Sequence, residues 1–376
     1  MDRIKAPDLA SPAFKANPYP FYARLRAEAP AYRMKVGLGL WGWLVTRYDD
    51  AVLVLKDERF ANDWSPRVPW VMRRFAGSLI RHMLVRDPPD HTRLRTLVSK
   101  AFTPRLVERL RGRVQSVCDE LLDAVTAEGR MDLVHAYALP MPLTIIAELL
   151  GIPAQDRLRL HAWSRAGIGA SSALDLLFAI PSMRFFPRYF RKLFAERRAE
   201  PRDDLLTALV QAEEAGDKLD EDELQSMVFL LLIAGYETTV NLVSVSALAL
   251  LQHPSQRERL QDDPALAESA VEELLRFTSP LEMAMPRYTR QEVNHDEAQF
   301  PDPECLDIAR EPNRHLALGM GGHFCLGAPL ARLEAQIALT TLFRRFPRLR
   351  LAEGPQSARW RRNLVLRGLE RLPVVV

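Results

Sequence analysis

The stretch from Leu224 to Leu251 limits the fold more than any other part of the chain. It reads as one long helix with apolar side chains on nearly every face, and such a helix is stable only when other elements surround it. It is not read as a membrane span. Its strongly apolar run, Met227 to Ala234, is far shorter than a bilayer requires and is soon followed by Glu237. The rest of the chain must therefore wrap this helix, and 376 residues with 48% apolar side chains suffice for a large core.

The remaining pattern is mainly helical. Asn17 to Glu28 is a short amphipathic segment, and Trp41 to Val45 reads as a strand. Asp49 and Asp50 can cap a helix running through Leu55, and residues 61–85 form a long loop. From Pro104 to about Leu251 the pattern is largely helical, with one stripe at Leu106, Leu110, Val114 and Val117 and another at Leu143, Ile146, Ala147 and Leu150. Residues 264–277 and Leu326 to Phe346 are further helices. Residues 281–323 are rich in Pro, Asn, Asp and Arg and show little periodicity. Near the C-terminus, Leu364–Leu366 and Leu372–Val376 flank Arg367-Gly368 in the manner of a hairpin.

Charge and cysteine usage narrow the function classes. Lys plus Arg total 51 and Asp plus Glu 48, a balance of +3 that argues against nucleic acid as the main partner. Basic clusters at Arg184–Arg198 and Arg359–Arg371 read as solvated faces. Cys118, Cys305 and Cys325 are odd in number and scattered, which argues against a disulfide framework and fits a reducing cytosol. The start, MDRIKAPDLA, lacks the apolar core of a signal peptide. A cytoplasmic protein without membrane attachment is expected.

Chemistry concentrates around Cys325. Leu318-Gly319-Met320-Gly321-Gly322-His323-Phe324-Cys325-Leu326-Gly327 packs four glycines into a short span, marking a tight loop. Pro329 then suits the first turn of a helix, so Cys325 sits just before a helix N-terminus, where free amides and the helix dipole stabilise a thiolate. Such a thiolate is a good axial ligand for haem iron. A buried structural cysteine and a catalytic nucleophile are the other readings. Within the long helix, Ala234-Gly235-Tyr236-Glu237-Thr238-Thr239 places an acid and alcohols in apolar surroundings, where Gly235 can open room beside the backbone. This is either a proton-handling groove or simply a polar seam. Glu273 and Arg276 lie at i and i+3 on one helix face, a spacing also common on surfaces. His91 and Arg95 put two donors one turn apart after Asp87-Pro88-Pro89-Asp90, suited to carboxylates or to an exposed basic turn.

Together these stretches resemble the cytochrome P450 family, and the resemblance spans nearly the whole chain. Gly319, Gly321, His323, Cys325 and Gly327 match its cysteine signature position by position, and the match continues through Ala328-Pro329-Leu330-Ala331-Arg332-Leu333-Glu334. The resemblance implies a mainly α fold with a small β-rich lobe, as a single domain over residues 1–376 with the lobe near 17–60 and 281–299. It implies haem b on Cys325, cradled by the loop of Gly319 and Gly327. Glu237 and Thr238 become the acid–alcohol pair of oxygen activation. Glu273 and Arg276 anchor the coil at 300–318. His91, Arg95, Arg287 and His323 become propionate contacts. The implied activity is hydroxylation or epoxidation of a small apolar organic molecule of secondary metabolism. It would use O2 and electrons from a ferredoxin, and the enzyme would be a monomer.

Three departures from the family pattern stand out. Leu318 replaces the aromatic that opens the signature. Roughly two dozen residues are missing between Val293 and Asn294, enough for about three or four strands of the lobe. Cys305 stands where relatives often carry an Arg that joins the Glu–Arg pair, a role open to Arg310. The missing strands raise a second expectation: a non-catalytic relative that keeps the fold as a scaffold or helper protein.

Overall fold

A computed structural model of the chain describes residues 4–35, 41–57, 59–63, 81–125, 129–168, 173–214, 217–283 and 295–376. In chain order the elements begin with helices α1 (Pro12–Ala16) and α2 (Tyr19–Glu28), strands β1 (Ala31–Lys35) and β2 (Trp41–Val45), and α3 (Tyr48–Lys56). Next come α4 (Asp90–Ala101), α5 (Pro104–Arg109), α6 (Arg111–Asp123), β3 (Arg130–Asp132), α7 (Pro140–Leu149), α8 (Arg157–Ile168), α9 (Ala173–Ala199) and α10 (Leu205–Gln211). The short strands β4 (Glu213–Glu214) and β5 (Asp217–Lys218) precede α11 (Glu221–Gln252), α12 (Pro254–Asp262), α13 (Ala267–Thr278) and α14 (Ala328–Arg345). Strands β6 (Arg350–Leu351), β7 (Arg359–Trp360), β8 (Leu369–Arg371) and β9 (Pro373–Val375) close the chain.

Two compact units result. One comprises residues 1–60, 111–141 and 237–376, and the other 61–110 and 142–236, so the division falls within α11. That helix starts on a reciprocal cap: Glu223 N donates to Asp220 Oδ1 at 2.7 Å, and Asp220 N donates to Glu223 Oε2 at 3.0 Å. Glu221, Asp222 and Glu223 in its first turn complement the helix dipole. As a whole α11 is long and apolar enough to cross a bilayer, but its side chains from Thr239 to Leu250 are all buried, which makes it a core helix.

In the first unit, β9 lies between β3 and β6, with Val374 opposite both Met131 and Leu351. The β1–β2 hairpin runs from Ala31↔Val45 to Lys35↔Trp41. It turns Tyr32 and Met34 onto a core of Phe14, Tyr22, Leu25 and Leu44 and leaves Trp43 56% exposed. Among the described residues this hairpin pairs with no further strand.

Several expectations need correction. The region from Pro104 to Leu251 is interrupted by β3 and by the β4–β5 pair, too short to show a period of two. Helix α3 is not started by Asp49 or Asp50. Its Tyr48 N donates to the remote Asp296 Oδ2 at 2.8 Å. The C-terminal hairpin pairs β7 with β8, while Leu364–Leu366 lies in the connection and β9 joins another sheet.

The coil after residue 300 has no regular ladder, so side chains must satisfy its backbone. Glu273 is fully buried. It accepts from Arg276 at 2.7 and 2.8 Å, from Arg310 Nε at 3.1 and 3.2 Å, from Asn313 Nδ2 at 3.1 Å and from the Asp307 amide at 3.0 Å. Arg276 also donates to the carbonyls of Pro303 and Cys305, and Arg310 to those of Pro301, Asp302 and Cys305. Arg310 therefore takes the role left open by Cys305. Glu273→Gln would leave two guanidiniums without their shared counter-charge, a loss of about 3–5 kcal/mol for a buried pair. A large drop in thermal unfolding temperature, or failure to accumulate folded protein, is the expected result. An unchanged midpoint would contradict the anchoring role.

Candidate active site

Cys325 closes a loop whose turns are set locally. Gly319 and Gly321 adopt φ of +74° and +71°, the left-handed region that glycine enters without penalty. A Cβ on Gly321 would also stand 3.0 Å from the Leu55 carbonyl oxygen, so α3 packs directly on the loop. Cys325 N donates to Leu318 O at 2.9 Å, and Ala331 N donates to Gly327 O at 2.9 Å as α14 begins. Pro329 lies in the first turn, as its missing N–H allows.

Exposure separates the readings of this cysteine. Cys325 is half-buried, whereas Cys118 is wholly buried. Burial pushes the Cys118 thiol up to about 12, partly offset by a hydrogen bond with Tyr137. Cys118 is thus an inert structural cysteine, whereas the half-buried Cys325 and the exposed Cys305 remain reachable. Leu318 packs beside Leu242, Val271, Leu275, Ala317 and Ala335, so the space next to the cysteine loop stays apolar without the aromatic.

A second carboxylate on α13 holds the start of α14. Glu272 accepts a two-pronged contact from Arg332 at 2.6 and 2.8 Å and lies 3.0 Å from His315 Nε2. Burial pushes the Glu272 carboxyl up, but the hydrogen bonds from Arg332 and His315 outweigh it and bring it down to about 2. Neighbouring carboxylates, Glu272 and Glu273, thus fix both the helix that follows Cys325 and the coil that precedes it. Glu272 and His315 were not singled out from the sequence, and Arg332 was named only within the cysteine signature, because no local spacing links the three.

Along α11, Leu230, Ala234 and Thr238, spaced four residues apart, form a stripe that is open or partly open, flanked by the partly open Phe229, Leu231, Ile233 and Gly235. Glu237, 100° further round in an ideal helix, is only 3% exposed. Its Oε2 accepts from Arg361 Nη1 at 3.0 Å. Arg361, too, was missed: it belonged to a basic cluster read as solvated. Gly235 does not open a groove. A Cβ there would stand 2.9 Å from Ile146, so the glycine admits close packing of α7. The adjacent Tyr236 hydroxyl meets His161 Nδ1 at 3.0 Å. Further along α14, Glu334 is wholly buried beside Thr239, and burial pushes its carboxyl well above the usual range despite that hydroxyl.

His91 and Arg95 share α4 one turn apart, with His91 buried and Arg95 partly exposed. His323 lies in the short 3-10 turn Gly321–His323. Arg287 lies outside the described residues. The donor type fits a haem: a half-open cysteine at a helix N-terminus. Among the described residues no group of three or more His, Cys, Asp or Glu could hold a bare metal ion.

Comparison with known proteins agrees with this geometry. The Cytochrome P450 family model matches residues 16–302 and 291–362. The chain is 43% identical over 394 residues to "Polyketide biosynthesis cytochrome P450 PksS" of Bacillus subtilis, covering 96% of each. It is 42% identical over 385 residues to "Cytochrome P450 monooxygenase PikC" of Streptomyces venezuelae, covering 96% of this chain and 91% of that one. The solved structure of myxobacterial cytochrome P450 CYP267B1 in complex with myristic acid superposes with a TM-score of 0.91 at 42% identity, covering 99% of both chains. An alignment with PksS longer than the 376-residue chain itself means that the relative has residues without a counterpart here.

The Glu272 contacts have a direct consequence. Its carboxyl is held at about 2 against an ordinary 4.5, so its stabilisation is present above pH 4.5 and is lost as pH falls toward 2. Glu272→Gln should unfold more readily at neutral pH, yet lose less further stability than the parent between pH 4.5 and 2. Parallel stability–pH curves for the two proteins, from urea unfolding, would contradict the assignment.

Proposed function

The chain belongs to the cytochrome P450 family and is a haem-dependent monooxygenase, and from that premise we propose that it hydroxylates or epoxidises a small apolar secondary metabolite. The observation that carries this reading is the pairing, within one folded unit, of the half-open Cys325 at the start of α14 with Thr238 and Glu237 on α11. Haem b is the proposed cofactor, and when bound it supplies O2 activation, using two electrons and two protons to put one oxygen atom into substrate and release the other as water.

The chain's own residues divide the remaining work. Cys325 presents a thiolate as axial ligand, stabilised by the N-terminus of α14. His91, Arg95, His323 and Arg287 hold the propionates by charge and hydrogen bonds. Thr238 keeps a hydroxyl on the open stripe to hold a proton or a water, and Glu237 supplies the exchangeable proton. Gly319 and Gly327 let the loop backbone approach the cofactor. The substrate pocket is assigned to residues 61–85 and 165–187, whose side chains fall largely outside the described residues. An apolar substrate agrees with the myristic acid bound by CYP267B1 and with the polyketide pathway named for PksS. Electrons are proposed to come from a ferredoxin docking near the Cys325 face, and the enzyme to act as a cytoplasmic monomer.

The second reading, a scaffold that keeps the fold without oxygenation, draws on the short segment before Asn294 and the two-stranded hairpin. Reconstitution with a ferredoxin, its reductase, NADPH and a panel of apolar polyketides and fatty acids separates the two. The monooxygenase is expected to give oxygenated product. Thr238→Ala should then keep O2 consumption within about twofold while product per O2 falls about tenfold or more, the scale of a lost proton donor. Tight haem binding with no substrate-induced spectral shift and no product from any panel member would favour the scaffold. Unchanged coupling in Thr238→Ala would remove that residue from proton delivery.

A further inference from the structure

We propose that Arg361 is a positioning residue for Glu237, and that the C-terminal β7–β8 hairpin exists in part to deliver it. The proposal rests on the reading of Glu237 as the proton-supplying acid. A carboxyl group only 3% exposed in an apolar helix is costly unless a partner meets it. Arg361, itself largely buried, is that partner, with Nη1 3.0 Å from Oε2.

The hairpin fixes where this guanidinium comes from. Arg361 N donates to Gly368 O at 3.0 Å, closing the hairpin at the residue itself. A Cβ on Gly368 would lie 1.8 Å from Asn241 Oδ1, so the hairpin backbone rests directly on α11, one turn beyond Glu237. Its other side is held by Arg367. That guanidinium lies 4.5 Å from the centre of the Trp360 ring and donates to the carbonyls of Lys15 and Thr278. Arg361 therefore reaches Glu237 from a fixed mount, not from a flexible surface arm.

The consequence concerns direction. Glu237 and Asn241, one turn apart, share the face of α11 that the hairpin covers, whereas Thr238 opens on the adjacent stripe. Held by Arg361, whose Nη1 meets Oε2, the carboxyl is kept on the hairpin-covered face, at its border with the stripe of Thr238. Without Arg361 a glutamate side chain has three torsions with which to leave that border. Proton delivery then competes poorly with loss of reduced oxygen, and the enzyme uncouples.

The test compares Arg361→Gln, Arg361→Lys, Glu237→Gln and the double variant Glu237→Gln/Arg361→Gln, all haem-loaded. Arg362→Gln serves as a neighbouring control, since Arg362 is exposed and pairs with Asp8. Three quantities are read: product per NADPH, the solvent deuterium isotope effect on turnover, and the unfolding temperature. Arg361→Gln is expected to lose coupling about fivefold or more, with a raised isotope effect, while Arg362→Gln matches the parent. The double variant should be no worse than the poorer single, because groups acting as one unit are not additive. The stability lost in Arg361→Gln should largely vanish in the Glu237→Gln background. Arg361→Lys, which keeps the charge, should recover at least half of the coupling. Should Arg361→Gln fail to fold, Arg361→Met, which keeps the bulk without the charge, carries the test: lost coupling with a raised isotope effect supports positioning, and parental values overturn it. A fully coupled Arg361→Gln beside an uncoupled Glu237→Gln overturns the role of Arg361 alone. A fully coupled Glu237→Gln overturns the reading of the acid itself.

Discussion

A buried carboxylate with two guanidiniums on it is the interaction on which the rest of the site depends. Glu273 has no exposure and binds Arg276 and Arg310 together, with Asn313 and the Asp307 amide completing its shell. Burying three charges is unfavourable in itself, and their geometry offsets that cost only while all are present. What the cluster secures is one conformation for a coil with no ladder of its own. The two arginines turn onto the carbonyls of residues 301–305, and the coil runs from there to Leu316, whose carbonyl begins the cysteine loop. Glu272, the next residue back, does the same for the far side through Arg332 and His315. Two adjacent side chains of α13 thus position Cys325 from before and after.

The same economy appears in the small lobe. Lys15, Glu282 and Arg367 are buried together, and Lys15 and Glu282 form an ion pair. Burial pushes the Glu282 carboxyl up, while Lys15 and Arg367 oppose it. Arg367 then reaches across to the carbonyls of Lys15 and Thr278. Charged groups therefore tie α1, the end of α13 and the C-terminal hairpin together in a region where the described sheet is only two strands wide. This offers a physical reason why this part of the lobe holds its shape.

What the sequence made legible were features carried by neighbours in the chain. The all-round apolar α11, the glycine spacing around Cys325 and the i, i+3 pair Glu273–Arg276 each announce themselves within a few residues, and each stands where it was expected. The contacts that were not legible join distant positions. Arg361 meets Glu237 across 124 residues, and Asp296 caps Tyr48 across 248. A basic cluster at the C-terminus looked solvated because composition cannot distinguish an arginine facing water from one facing a buried acid. Arg361 and Arg367 both face inward. Gly235 shows the same limit in reverse. Its lack of a side chain is used by Ile146, which no local pattern could have revealed.

All of this converges on the thiol of Cys325, half-open at the head of α14. The measurement that tests it most directly is the absorption spectrum of the purified, haem-loaded protein after reduction and exposure to CO, for the parent chain and for Cys325→Ser. Thiolate ligation requires the strongly red-shifted Soret band in the parent and its loss in the serine variant. A parent spectrum like that of a histidine-ligated haem, or a red-shifted band that survives in Cys325→Ser, would contradict the account.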